Sequence, residues 1–392
     1  MQNKLNFVMI SPHFPDNFAP FAERLKNAGF NTLGIADTPY EHLSQTLKDS
    51  LTEYYRVDNM DDYDQVYRAV AFFAHKYGRI HRIESHNEHW LETDARLRSD
   101  FNVFGYKETD LDAIKHKSSM KEVFRSIDLP VANGRVFSDR QDGLELAEEL
   151  GFPVIIKPDS GVGAGDTYKI KNEDELHYFF DTKNEAVTFI MEEYIPGDIV
   201  TFDGLTDRDG NIVYCSSLLY NVAVLETVES NNDMYFYVSR EIEDDLLEMG
   251  QKMVEAFNVK ERFFHFEFFR LADGTALPLE VNMRPPGGAT IDMFNYANEL
   301  DIFQEYANVV RDNQFYTYVT RPYYCGYVSR KYSNHNYAHS NDDIRQHLGE
   351  DLINILTIPG IFAAIMGDEG YLVRTPSEEQ LFEYFEYIRQ KS

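Results

Sequence analysis

Short apolar runs of strand length alternate with longer stretches that read as helices over the first hundred residues of this 392-residue chain. Residues 4–10 (KLNFVMI) and 32–36 (TLGIA) are the first predicted strands. The helix predicted between them, 17–28, stops at Gly29, which ends a helix well because it accepts a left-handed backbone. A helix over 63–77, a strand over 79–84 and a helix over 88–100 follow. This β-α-β order predicts a small open α/β domain over residues 1–110. No G-x-G-x-x-G follows the first strand, so the dinucleotide fingerprint is missing where it would sit. Glu84, His86 and Glu88 come after the carboxyl end of the third strand, where open sheets bind ligands. A polar loop opening a helix is the plainer account of them.

From residue 110 the pattern predicts a helix broken at Leu129-Pro130, a strand over 135–137 and a helix over 142–150 ended by Gly151. Lys115 and Lys117 lie near the start of the first of these helices, where a cation opposes the dipole. The apolar strand 154–156 then delivers Lys157 directly before a loop with glycines at 161, 163 and 165. Such a loop lets backbone N–H groups cradle an anion, or it is a flexible hairpin connection. It is not a P-loop, since no Gly-Lys-Ser/Thr closes it. A helix over 174–181 and a strand over 186–191 lead to Glu192-Glu193-Tyr194-Ile195-Pro196-Gly197-Asp198. The backbone of this junction suits an adenine edge with Ile195 on its face, although taken alone it is only a polar connection. A strand over 199–205, a turn at Asp209-Gly210, a return over 212–219 and a helix over 244–257 complete the approach to the richest stretch.

That stretch, FFHFEFFRLADGTALPLEVNMRPPGG at 263–288, alternates with period two and carries Asp273-Gly274 at its centre. Asp-Gly between alternating strands predicts a two-residue type I′ hairpin turn. Glu267 then faces Glu280 and His265 faces Asn282, all four on one face, with Phe264, Phe266 and Phe268 on the other. Facing carboxylates repel unless a cation lies between them. Either a cation sits there, with a divalent metal the favoured one, or one acid is protonated, or the register is wrong. Oxygen ligands of this kind favour Mg²⁺ or Mn²⁺ over zinc.

Composition narrows the field. Asp plus Glu is 66 against 37 Lys plus Arg, a net charge of −29, so nucleic acid is set aside as a partner. A small phosphate ligand needs only local lysines. No apolar run approaches the roughly 20 residues of a membrane span, and two cysteines, Cys215 and Cys325, are expected as buried thiols in a reducing, cytoplasmic setting. The 29 Phe and 26 Tyr are mostly core, with a homodimer surface as another destination for some. The C-terminal part is expected to add strands near 324–330, 361–366 and 371–375, a tight turn at 367–370, and a helix over 377–390.

In order along the chain, Lys117, the VIIKP strand, the glycine loop, EEYIPGD, and the pair HFEFF and LEVNMRPPGG resemble the ATP-grasp superfamily, in its carboxylate–amine ligase branch that includes L-amino acid ligases and biotin carboxylase. The resemblance covers residues 110–300. It implies an ATP-grasp fold, mixed α/β and α+β, behind a Rossmann-like pre-ATP-grasp domain at 1–110. The ATP-grasp domain would span 111–320, with 130–195 as a mobile lid and 321–392 completing it. ATP and Mg²⁺ or Mn²⁺ are the implied cofactors. Lys117 and Lys157 would bind phosphates, and Gly161, Gly163 and Gly165 would line the closing loop. Glu192, Glu193, Tyr194 and Ile195 would hold adenine, and Asp198 takes the position of the family's usual ribose-binding Glu. Glu267, Glu280 and Asn282 match the metal ligands, and Arg284 matches the basic residue at the γ-phosphate and acyl phosphate. The family more often carries one proline where this chain has Pro285-Pro286.

The activity so implied is ATP-dependent joining of a carboxylate and an amine, with an amino acid or small carboxylate as substrate. Rivals are a ligase using ammonia or bicarbonate on a larger carboxylate, a nucleotide-binding regulator without turnover, and a nicotinamide dehydrogenase. The missing fingerprint and the paired acids argue against the last.

Overall fold

The computed structural model describes residues 4–161, 166–220, 232–333 and 335–392. At the N-terminus β1 (Asn6–Ile10), β2 (Asn31–Ala36), β3 (Glu53–Arg56) and β4 (Arg82–Glu84) form a parallel sheet ordered β3-β2-β1-β4. All five positions of β1 are buried, as befits a parallel strand covered on both faces. The predicted helices appear at Ala19–Asn27, Tyr63–Tyr77 and Leu91–Asp100, with Gly29 at φ +92°. Strand β3 escapes the apolar pattern because EYYR lies on the sheet edge and none of its residues is fully buried.

A second sheet is antiparallel: β5 (Gly134–Val136), β6 (Val154–Pro158), β7 (Tyr168–Ile170) and β8 (Phe189–Glu193), in the order β5-β8-β6-β7. Helices Arg140–Leu150 and Glu173–Thr182 bury Leu146, Ala147, Leu176, Phe179 and Phe180 with its core. The helix expected to break at Leu129-Pro130 breaks earlier, into Leu111–Lys115 and Lys117–Ser126. His116 is extended and bridges Ser160, so a tertiary pairing interrupts the helix before proline can.

The third sheet has nine strands. It contains β9 (Gly197–Thr206), β10 (Ile212–Ser216), β11 (Leu218–Tyr220), β12 (Tyr235–Val238), β13 (Phe263–Leu271), β14 (Ala276–Asn282), β15 (Tyr324–Arg330), β16 (Leu352–Thr357) and β17 (Glu369–Thr375). The order is β14-β13-β9-β11-β12-β15-β17-β16, with β10 also on β9. Helix Asp244–Ala256 packs so tightly on β9 that a Cβ at Gly250 would stand 2.1 Å from the Phe202 ring.

The hairpin β13–β14 corrects the expected turn while keeping the expected pairs. Leu271 N–H donates to Thr275 O and Gly274 N–H to Leu271 O, both at 2.9 Å. The loop is thus three residues, 272–274, with positive φ at Gly274 and not at Asp273. That is a turn followed by a glycine bulge rather than type I′. Near the turn Arg270 pairs with Ala276 and Phe268 with Pro278, one residue off the predicted register. An irregularity between Glu267 and Phe268 absorbs Leu279, after which Glu267 pairs with Glu280 and His265 with Asn282. Two one-residue departures cancel. Phe264, Phe266 and Phe268 are all fully buried on the opposite face.

At the C-terminus, 361–366 is not a strand. Gly360–Phe362 is a 3₁₀ turn, Ala363–Met366 a short helix, and Gly367 ends it at φ +79°. Pro359-Gly360 starts the turn before an extended segment can form. The missed strand is β16, and the expected tight turn at 367–370 is half absorbed into β17, which begins at Glu369. Cys325 is buried as expected, whereas Cys215 is only half-buried; both thiols are free. No described helix is long and apolar enough to cross a membrane.

Candidate active site

Strand β6 carries Lys157 into a buried position, 7% exposed, where its Nζ lies 2.7 Å from Glu192 Oε2 on the neighbouring β8. Lys121, from helix Lys117–Ser126, reaches the other oxygen of Glu192 at 2.7 Å and donates to Ala132 O at 2.7 Å. Burial pushes the Glu192 carboxyl up, but Lys157 and Lys121 together pull harder and hold it at about 2. Burial likewise disfavours the Lys157 ammonium, yet Glu192, with Glu280 and Glu267 beyond it, raises its pKa. For Lys121 burial prevails over Glu192 and the pKa is lowered. The charges of Glu280 and Glu267 act on Lys157, which stands beside the hairpin's acids electrostatically.

Lys117 opens its helix without conflict because Asp159 caps that end. Ser118 N–H and Oγ donate to the two Asp159 oxygens at 2.8 and 2.9 Å, and Lys117 N–H donates to Asp159 O at 2.8 Å. The carboxylate compensates the helix N-terminus. The Lys117 ammonium turns towards Gly161 O and Glu280 Oε1, each at 3.3 Å. Gly161 has φ +125°; Gly163 and Gly165 lie outside the described residues.

On the hairpin, His265 stands between Asp203 and Glu267. Its Nδ1 is 2.6 Å from Asp203 Oδ1 and its Nε2 3.2 Å from Glu267 Oε1. Burial works against the imidazolium, but Asp203 and then Glu267 overcome it and raise the pKa to about 9. Thr201 in turn donates to Asp203. The His265 partner keeps Glu267 ionised despite burial, with Arg284 and Lys157 adding to the effect. The register of the facing pair holds, and each acid already has a protein cation beside it, His265 at Glu267 and Lys117 at Glu280. Asn282 Nδ2 donates to Glu267 Oε1 at 3.4 Å, and Asn282 Oδ1 accepts from Arg284 at 3.4 Å. Glu267, Glu280 and Asn282 thus gather hard oxygen donors on one face, a set that fits Mg²⁺ or Mn²⁺. No group of three or more His, Cys, Asp or Glu that could hold a metal occurs among the described residues. A cation here would take much of its shell from a bound ligand and water.

The EEYIPGD junction differs in part from expectation. As a central strand, β8 spends N–H groups on both neighbours: Glu193 N–H donates to Asn133 O at 2.9 Å, and its carboxylate accepts from Asn133 N–H at 2.6 Å. Tyr194 N–H donates to Pro153 O at 3.3 Å, and Lys169 Nζ stands 3.6 Å from the Tyr194 ring centre. Neither of these N–H groups is open to an adenine edge. Ile195 is half-buried and Asp198 is exposed, opposite Arg270 across β9–β13.

Arg284 follows β14 and donates to Pro285 O at 3.0 Å. Its Nε lies 3.7 Å from Glu88 Oε2 of the N-terminal sheet's loop. Glu84 points elsewhere: Arg98 donates to it at 2.9 Å and Arg262 at 3.3 Å, and the two arginines hold this buried carboxyl at about 2 against its desolvation. Lys121, Asp159, Asp203 and His265 join the site through tertiary contacts. Only His265 carried a signal, its shared face with Glu267.

Residues 150–292 match the family model of the ATP-grasp domain. The L-arginine-specific L-amino acid ligase of Bacillus subtilis is 25% identical over 264 residues, 65% of this chain and 63% of that protein. The arginine-specific carbamoyl phosphate synthase large chain of Halalkalibacterium halodurans is 27% identical over 108 residues, 27% of this chain and 10% of that one. The chain therefore spans under two thirds of the length of these curated relatives. Among solved structures, an L-amino acid ligase from Bacillus licheniformis superposes with TM-score 0.77 at 13% identity, covering 98% of this chain and 97% of that one. A biotin carboxylase domain of the Hydrogenobacter thermophilus 2-oxoglutarate carboxylase, solved with MgADP and bicarbonate, gives 0.69 at 16% identity, covering 98% and 90%. Residues 150–292 thus match the ATP-grasp domain model, and over nearly its whole length the chain shares the fold of the L-amino acid ligase and biotin carboxylase structures it resembles.

Proposed function

We propose that this chain is an ADP-forming carboxylate–amine ligase. The observation that carries the reading is convergence: Lys117 and Arg284 each approach the acidic hairpin, at Glu280 and at Asn282 beside Glu267, and Lys157 faces both acids electrostatically. Cations beside paired acids suit a polyphosphate with its metal. In this reading Lys117 and Lys157 hold phosphates, and Glu192 to Ile195 with Asp198 receive the nucleoside. The corrected hydrogen bonds leave the adenine edge to Ile195. Glu267, Glu280 and Asn282 would hold a divalent cation, which would supply charge neutralisation at the phosphates.

A substrate carboxylate oxygen attacks the γ-phosphorus as ADP leaves, giving an acyl phosphate. An amine then adds to the carbonyl carbon, phosphate departs, and the amine's proton goes to phosphate or water. Two anions must meet in the first step, and Lys117, Lys157 and Arg284 offset that repulsion while the cleft supplies alignment. The domain reading follows: 1–110 as one wall, 130–195 as the lid, and 321–392 completing the large sheet. Free Cys215 and Cys325 support a cytoplasmic setting, the charge of −29 supports exclusion of nucleic acid, and a homodimer is part of the proposal. The substrate is an amino acid or a small carboxylate, in keeping with the L-amino acid ligases that the chain resembles.

The test is incubation with ATP, Mg²⁺ and pooled metabolites, followed by mass spectrometry for ADP and a new amide. Amide formation between amino acids supports the reading. ADP appearing only with a non-amino carboxylate and ammonia would move the assignment to the ammonia-using ligases, and no ADP with any acceptor would reject it.

A further inference from the structure

Glu88 sits in a place where a carboxylate has half of what it needs. It begins the 3₁₀ turn Glu88–Trp90 just past the carboxyl end of β4, on a loop held rigid from several sides. Ser85 N–H and Oγ donate to Asp94 at 2.9 and 2.7 Å, and Asn87 N–H donates to Ser85 Oγ at 3.2 Å. His86, at φ +57°, is buried with its ring stacked 4.1 Å from Phe21. The Glu88 side chain is only 14% exposed, and its Oε2 is buried with no hydrogen-bond partner among the described residues. Among the described residues the cation within 4 Å is Arg284, whose Nε at 3.7 Å is beyond hydrogen-bond reach, with Arg262 and Lys115 acting from farther away. Arg284 itself is committed to Pro285 O and Asn282 Oδ1.

Burial pushes the Glu88 pKa up, and Arg284 does not fully counter it because Glu280 adds a second negative charge. A buried carboxylate with only distant cations is under-compensated, and a hydrogen-bonding cationic nitrogen would correct that. Beyond Arg284 the backbone is bare: Gly287 and Gly288 are exposed, and at Gly287 a Cβ would meet nothing within 4 Å. An anionic and a cationic group thus stand side by side at the domain boundary, Glu88 from the N-terminal sheet and Arg284 from the large one.

Resting on the ligase reading above, we propose that Glu88 and Arg284 form a clamp for a zwitterion: Arg284 takes the reacting carboxylate of an α-amino acid and Glu88 its α-ammonium. Glu88 is then the residue that selects an α-amino acid over a carboxylic acid of the same side chain. Glu84, two residues earlier, has no such role because Arg98 and Arg262 consume its charge.

The experiment uses the intact chain with MgATP and hydroxylamine as a fixed, saturating amine, so that only the carboxylate partner varies. Hydroxamate formation is followed for a set of α-amino acids and for the 2-hydroxy acids with the same side chains. A charge-assisted hydrogen bond contributes about 1.5–3 kcal/mol, so the wild type should prefer the amino acid by roughly 10- to 100-fold in kcat/KM. In Glu88→Gln that preference should collapse by at least about tenfold, mainly through KM for the amino acid, and Glu88→Asp should recover part of it. ADP affinity measured on the same samples reports that the variants are folded. Equal losses on both substrate series would overturn the clamp and leave Glu88 as a support for Arg284, and an unchanged preference would overturn it outright. Wild-type protein that forms no hydroxamate and no ADP with any carboxylate would instead overturn the ligase reading itself.

Discussion

Replacing Lys157 by Met separates two effects that share one carboxylate. Glu192 lies 2.7 Å from both Lys157 and Lys121, and its pKa falls from an ordinary 4.5 to about 2. At about 1.4 kcal/mol per unit, the pair stabilises the charged form, net of burial, by roughly 3 kcal/mol. A depressed folded-state pKa gives stability that is complete above the unfolded value of 4.5 and lost as pH falls from there towards 2. Either lysine alone accounts for something near half, so Lys157→Met and Lys121→Met should each cost on the order of 2 kcal/mol at neutral pH. The charges of Glu280 and Glu267 on the hairpin act on Lys157. Lys157→Met should therefore also forfeit a charge-assisted phosphate contact of about 1.5–3 kcal/mol, raising Kd for MgADP by about 10- to 100-fold, while Lys121→Met binds within about threefold of wild type. Thermal melts and titration calorimetry on the two variants read these quantities independently. Unchanged ADP affinity in Lys157→Met, or an equal loss in both variants, would refute the assignment of Lys157 to phosphate.

Three further outcomes are expected. Glu280→Gln should lower Mg²⁺-dependent ATP consumption by roughly two orders of magnitude, measured as phosphate release across a Mg²⁺ titration; unaltered turnover would remove the metal assignment. Glu84→Gln should cost about 1–3 kcal/mol, because it removes the carboxylate shared by Arg98 and Arg262, which keep only Ile83 O, Tyr106 O and Met283 O with the more distant Asp94, and calorimetric unfolding should show it. Gly250→Ala should destabilise by about 1–3 kcal/mol through overpacking on Phe202, visible as a lower melting temperature with ADP affinity retained.

Much of the site was legible because it is carried by local patterns. Alternation in β13 and β14 put Glu267, Glu280, His265 and Asn282 on one face, since a strand's side chains alternate whatever surrounds them. The apolar run before Lys157 and the glycines after it likewise marked a strand ending at a loop. The turn itself was misjudged by one residue, and only the folded hairpin shows the compensating bulge at Leu279. Strand β3 was invisible because EYYR lies at a sheet edge, where pairing with one neighbour needs no apolar pattern, whereas β16, LINILT, does carry apolar positions.

What no local reading supplies is partnership across long stretches of chain. Lys121 meets Glu192 from 71 residues away, and His265 meets Asp203 from 62. The opposite fates of Glu84 and Glu88 turn on arginines at 98, 262 and 284. A sequence states which charges exist and which face of a strand they occupy. Whether a carboxylate is neutralised or left needing a cation depends on burial and on what the tertiary fold brings within a few ångströms.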